Sequence, residues 1–322
     1  MKSVIERMND TGAQKKAADF QVKMKMDYPF KKRYAEIRAW EFFNHPEISG
    51  NCYVAVGGLD SITLLLFLRH IGLTDVPAVS VSSLEDKSIQ RIHEDLGVIP
   101  LKPLKRKVEV IQEFGFPVLS NETAAKIDLL QRPTEKNATV RHAIITGETG
   151  EYGGNRTGTR MKMSQKWLER FGGYENENEG VNYQIAPFKV SDKCCYYLKE
   201  KPCNNYAREH DSFPYLGMMA SEHGRREKSL MMNGCNYYGK TTTRSCPFAI
   251  FSRQDLLQLA LDLQVPVPEI YGEIVRGPDG TLRTTKAQRT GCSMCGFGIH
   301  LEKRPHRFDR LREENPKEWE FW

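Results

Sequence analysis

The stretch Cys52-Tyr-Val-Ala-Val-Gly-Gly-Leu-Asp-Ser61 sets two glycines, a carboxylate and a hydroxyl side by side, directly after a short apolar run. Gly57 and Gly58 can take positive φ and let a ligand approach the backbone closely. The leucine-rich segment that follows, Ile62 to Arg69, predicts a helix whose first N–H groups have no partner within the helix and attract negative charge. Strand, tight loop and helix N-terminus would then converge on an anion, with phosphate or sulfate the natural guest. The spacing is neither the Gly-x-x-x-x-Gly-Lys-Ser/Thr of a Walker loop nor the Gly-x-Gly-x-x-Gly of a dinucleotide site. The competing reading is a plain strand-to-helix turn capped by Asp60 or Ser61.

The cysteines form the second chemical constellation. Cys194 and Cys195 are adjacent, and Cys292 and Cys295 make a Cys-x-x-Cys. Two such pairs can supply the four thiolates of a zinc or iron-sulfur site. Zinc ligand pairs are usually spaced by two or more residues, so the adjacent pair favours a bulkier iron-sulfur cluster, with zinc as the alternative. Four unrelated buried thiols are the competing reading. Cys235, in Asn233-Gly-Cys-Asn236, and Cys246, beside Pro247, are candidates for an extra ligand or a reactive thiol, and Cys52 and Cys203 read as structural. His300 and His306 follow the Cys-x-x-Cys in a run of mixed charge, where packing and surface roles are the commoner fate of single histidines.

These residues need a scaffold. After the glycine loop, Pro77 to Ser83 alternates like a strand, Leu84 to His93 reads as a helix, and Gly97 to Leu101 as a third strand. Strands alternating with helices predict an α/β fold with a parallel central sheet and flanking helices, its ligands beyond the carboxyl ends of the strands. Residues 1–48 read as a helical extension that docks through Trp40, Phe42 and Phe43, and 49–322 as the α/β domain with its cysteine region. Between Arg141 and Arg160 five glycines and the cations Arg156 and Arg160 predict an irregular loop. A helix is expected over Met163 to Phe171.

Composition narrows the class. With 322 residues, 39% hydrophobic and 27% charged, the chain is ordinary for a soluble globular protein. A net charge of +6 suits an anionic ligand and is too mild to argue for nucleic acid by itself. No signal-peptide core and no membrane-length apolar run is visible, so a cytoplasmic location is expected, where eight cysteines read as metal ligands or reactive thiols rather than disulfides.

Val56-Gly-Gly-Leu-Asp-Ser61 resembles the PP-loop signature Ser-Gly-Gly-x-Asp-Ser of the ATP pyrophosphatase and phosphoadenylyl-sulfate reductase superfamily, the adenine nucleotide alpha hydrolase-like fold. Asp192-Lys-Cys-Cys followed by Cys292-Ser-Met-Cys295 is similar to the arrangement that binds a 4Fe-4S cluster in adenylyl-sulfate reductases. Leu216 to Ser229, with its Arg225-Arg226 pair, and Ser245 to Leu257 resemble two further segments of that family. The resemblance covers about residues 50 to 300. It implies that Gly57, Gly58, Asp60 and Ser61 hold phosphate or sulfate. Ser82, Ser83 and Glu85 would face adenosine, Arg225 and Arg226 would neutralise the anionic end, and Cys194, Cys195, Cys292 and Cys295 would ligate the cluster. Adenylyl sulfate, phosphoadenylyl sulfate or ATP would be the nucleotide.

The chain departs from the pattern in two places. The family's C-terminal Glu-Cys-Gly-x-His has no counterpart, since no cysteine follows Cys295, and Val56 and Leu59 replace a hydroxyl and a cation common in the loop. Three outcomes are therefore expected. One is an iron-sulfur oxidoreductase of sulfur metabolism, acting on sulfur at an activated adenylate with a thiol from Cys235, Cys246 or a thioredoxin-like partner. The second is an ATP- and magnesium-dependent sulfur transferase working through an adenylated intermediate, as in nucleic-acid thiolation. The third is a non-catalytic accessory module of a phage, type IV CRISPR or DNA-modification system, with a nucleoprotein partner. An oligomer fits any of the three.

Overall fold

A computed structural model of the protein describes residues 11–148, 161–172, 175–176, 181–182, 186–292 and 295–322. The Arg156 and Arg160 segment lies outside the described residues, as does most of the Glu175 to Gly180 turn. The chain forms two compact units, divided at 102/103, 200/201 and 292/293. Helices over 11–43 belong to the unit that carries the main sheet.

That sheet unit, Asp10–Lys102 with Lys201–Cys292, is built on six strands. Labelled within the unit, they are β1 (Cys52–Ala55), β2 (Ala78–Ser80), β3 (Ile99–Pro100), β4 (Phe213–Leu216), β5 (Asn236–Tyr238) and β6 (Thr243–Ser245). Their order is β3-β2-β1-β4-β6-β5. All neighbours are parallel except the β5–β6 edge pair. Val54 of β1 stands opposite both Ala78 and Tyr215, which fixes the central register. The chain runs outward from β1 to β2 and β3, then returns on the other side of β1 with β4. The strand order therefore reverses between β1 and β4.

Alternation along β1 divides its side chains between two cores. Cys52 and Val54 join the large cluster formed by Ala35, Phe42, Leu64, Phe67, Tyr215, Phe248 and Leu256, whereas Tyr53 and Ala55 pack with Val79 and Tyr206. The helix Leu59–His70 buries Leu59, Ile62, Thr63, Leu64, Leu65, Phe67 and Leu68. Apolar residues almost all round its axis make it a central helix rather than a surface one. Lys31 reaches Asp255 at 2.7 Å in a buried ion pair that links the helices Tyr28–Phe43 and Arg253–Asp262.

Local chemistry shifts some boundaries from the sequence expectation. The second strand ends at Ser80, because Ser82–Leu84 tightens into a single 3-10 turn. The next helix begins only at Lys87, where the Asp86 carboxylate caps the Ser88 N–H at 2.8 Å. The third strand shrinks to Ile99–Pro100 and the helix near Trp167 to Gln165–Phe171.

The second unit takes Pro103–Glu200 and Ser293–Trp322. Its helices Lys107–Phe114, Asn121–Gln131, Ala138–Thr146 and Arg307–Glu314 accompany a short parallel pair, Val118–Leu119 with Gly296–Phe297. Leu119, Ala124, Ile127, Leu130, Ile144, Met163, Leu168 and Val190 form its core. Gly115 is one position where only glycine fits: φ is +114° and a Cβ would lie 2.5 Å from the Lys189 backbone. No described helix is long and apolar enough to cross a membrane.

Candidate functional site

The glycine loop leaves β1 at its carboxyl end, beside the point where the strand order reverses. Neither Gly57 nor Gly58 has positive φ; Gly58 is extended, at φ −78° and ψ −165°. Glycine is required by close approach instead. A Cβ on Gly58 would lie 2.2 Å from the Tyr271 hydroxyl, and one on Gly217, just past β4, 3.1 Å from the Ser61 backbone. The strand ends are thus pressed together on either side of the reversal.

Ser61 braces the loop from within: its Oγ accepts the Gly57 N–H at 2.7 Å and donates to the Gly58 carbonyl at 2.9 Å. The Leu59 N–H donates to the Tyr271 hydroxyl at 3.2 Å, and that hydroxyl pairs with Thr290 Oγ1 at 2.6 Å. Burial pushes the Tyr271 phenol up, which keeps it neutral. The Gly58 and Asp60 amides make no hydrogen bond among the described residues. Two helix-terminal donors are therefore open at the mouth of the loop.

Asp60 does not stand free for a ligand. It is ion-paired with Arg253, whose other nitrogen donates to the Gln288 carbonyl at 3.1 Å. Burial pushes the Asp60 carboxyl up, and Arg253 pulls it back down. A second carboxylate, Glu222, accepts from the Met219 N–H at 3.1 Å and pairs with Arg226 and with Arg289, the latter at 3.4 Å. Arg226 lies on the helix Gly224–Asn233, while the Arg225 side chain lies outside what is described. Three guanidinium groups are so arrayed around the sheet's carboxyl edge, each holding a carboxylate that an anion would have to replace.

The neighbouring loop, after β2, carries Ser82, exposed Ser83 and buried Glu85. Glu85 Oε1 lies 3.5 Å from the place a Gly57 Cβ would occupy, so it lines the glycine loop. His93 connects the two loops. It is 1% exposed, its Nε2 stands 2.9 Å from the Gly57 carbonyl and its Nδ1 2.9 Å from Ser82 Oγ. Sequence reasoning missed His93, Glu222, Arg253, Tyr271, Arg289 and Thr290. Glu222 and Arg253 fall inside segments that the resemblance singles out; the other four come from distant positions with no local signal.

The two candidate replacement thiols are core residues. Cys235 is 4% and Cys246 0% exposed, and burial pushes both thiols up to about 12. At neutral pH both are protonated and enclosed, which is the opposite of what a nucleophile needs. Burial likewise pushes Cys52 up to about 12, in keeping with its structural reading.

Cys194, Cys195, Cys292 and Cys295 are each half-buried. Cys195 closes a short helical turn and a π-helical turn, Tyr196–Glu200, follows it directly. Arg307 donates to the Cys295 carbonyl at 3.2 Å. Among the described residues no three Cys, His, Asp or Glu side chains gather into a metal-ligand set.

Compared with known proteins, the chain matches no family model and no curated protein.

Proposed function

We propose that the sheet unit is a PP-loop fold that binds an adenine nucleotide, and that the protein resembles adenylyl- and phosphoadenylyl-sulfate reductases in acting on sulfur at an activated adenylate. One observation carries this: a glycine loop opens a buried helix at the reversal point of a parallel sheet, with the Gly58 and Asp60 amides open and Arg226, Arg253 and Arg289 around it. Phosphate or sulfate oxygens would accept from those amides and draw the arginines from Asp60 and Glu222. Adenosine would lie over Ser82, Ser83 and Glu85. In the reductive reaction a thiolate attacks the sulfate sulfur, the S–O bond to the nucleotide phosphate breaks with AMP or its 3′-phosphorylated form leaving, and a second thiol of the dithiol partner then displaces sulfite from the thiosulfonate as the disulfide forms.

Burial of Cys235 and Cys246 favours a thiolate from a thioredoxin-like partner. The same burial equally supports the two other outcomes, ATP- and magnesium-dependent sulfur transfer and a non-catalytic accessory module with a nucleoprotein partner. Cys194, Cys195, Cys292 and Cys295 enter as candidate 4Fe-4S ligands on their spacing alone, with zinc as the alternative.

The test is anaerobic purification, analysis of iron, sulfide and zinc, and titration with adenylyl sulfate, its 3′-phosphorylated form and ATP, with and without a dithiol. Turnover of a sulfonucleotide supports the reductase, and pyrophosphate release from ATP the transferase. Binding without turnover selects the accessory module. Absence of binding to all three sinks the nucleotide site.

A further inference from the structure

Resting on the nucleotide site just described, we propose that His93 is a positioning residue that couples the anion-binding loop to the adenosine-facing loop. The Gly57 carbonyl can only accept a hydrogen bond, so His93 Nε2 carries the proton across the 2.9 Å contact. In the neutral ring Nδ1 is then an acceptor, and the Ser82 hydroxyl donates to it at 2.9 Å. One imidazole fixes both the tilt of the Gly57–Gly58 peptide and the direction of the Ser82 hydroxyl.

That peptide carries the open Gly58 N–H, whose aim is set by the carbonyl that His93 holds. The ring sits on the helix Lys87–Asp95, which is anchored by fully buried Ile89 and, at its end, by Arg69 of the helix Leu59–His70, which donates to the Leu96 carbonyl at 2.9 Å. A ligand that spans both loops therefore meets a donor, the Gly58 N–H, and an acceptor, the Ser82 oxygen, both prearranged by a single side chain, which lowers the ordering cost of binding.

Asparagine and glutamine separate the two bonds. The Asn amide reaches the Nδ1 position and the Gln amide the Nε2 position. His93→Asn retains the Ser82 contact and loses the strap on Gly57, and His93→Gln does the reverse. Calorimetric titration with pyrophosphate, which needs only the anion loop, and with ATP, which needs both, reads the difference. His93→Asn is expected to weaken both ligands about tenfold, and His93→Gln to weaken ATP about tenfold while pyrophosphate stays within about twofold, the loss of one well-made hydrogen bond in each case. Ser82→Ala should reproduce the His93→Gln pattern without altering a buried ring.

Unchanged affinities in both His93 variants overturn the proposal. So does equal loss of both ligands in both variants together with a lower melting temperature, which would mark His93 as scaffold only. If the unaltered protein takes up neither pyrophosphate nor ATP, the nucleotide site itself fails, and His93 loses its role with it.

Discussion

Gly58 shows how one residue can be dictated by a neighbour far away in sequence. Its missing side chain makes room for the Tyr271 hydroxyl, which would meet a Cβ at 2.2 Å. Gly58→Ala should cost about 1–3 kcal/mol in a urea titration, as overpacked sites do, and abolish the proposed nucleotide binding. Tyr271→Phe tests the opposite case. Removing a hydroxyl that now occupies the Leu59 N–H should lower stability by about 1–2 kcal/mol and raise affinity for pyrophosphate, because a ligand oxygen no longer competes for that donor. The buried thiols make a third residue-scale prediction. Iodoacetamide at pH 8 should leave Cys52, Cys235 and Cys246 unlabelled until the protein unfolds, as peptide mass spectrometry would show. Their pKa values also set a pH dependence. Above pH 9 the unfolded chain gives up thiol protons that the folded chain keeps up to about pH 12, so stability should fall across that interval.

At the scale of elements, the central helix and one buried ion pair dominate. Leu65 is 1% exposed in the helix that opens at the glycine loop, and Leu65→Ala should cost about 2–5 kcal/mol with the cavity it leaves. Lys31 and Asp255 are both enclosed, and Asp255 also accepts from the Ser252 N–H at 2.7 Å in the cap of its own helix. Removing Lys31 alone strands that carboxylate, and Lys31→Met should cost about 3–5 kcal/mol in the same titration. Strand, loop and helix at residues 52–70 were legible because each carries its own signal: an apolar run, two glycines, then leucines at helical density. The shortened second strand was not, since its end is set by the 3-10 turn at Ser82–Leu84 and by Asp86, whose capping bond competes with extended backbone.

For the molecule as a whole, the sequence determined the class of scaffold and the place of its glycine loop. Apolar strand segments alternating with helices favour a mostly parallel sheet covered by helices, and Gly57-Gly58 follows the first strand directly. The candidate anion site at that loop follows from local order alone. Only the tertiary structure decided what surrounds it. Arg253 and Arg289 reach Asp60 and Glu222 from distant positions, Tyr271 and Thr290 close over Leu59, and His93 spans two loops, pairings that depend on how strands β1, β2 and β4 lie side by side. Chain folding likewise enclosed Cys235 and Cys246, whose sequence neighbourhood gives no sign of their depth in the core. Burial and long-range pairing are properties of several segments at once, so no single stretch of sequence can carry them.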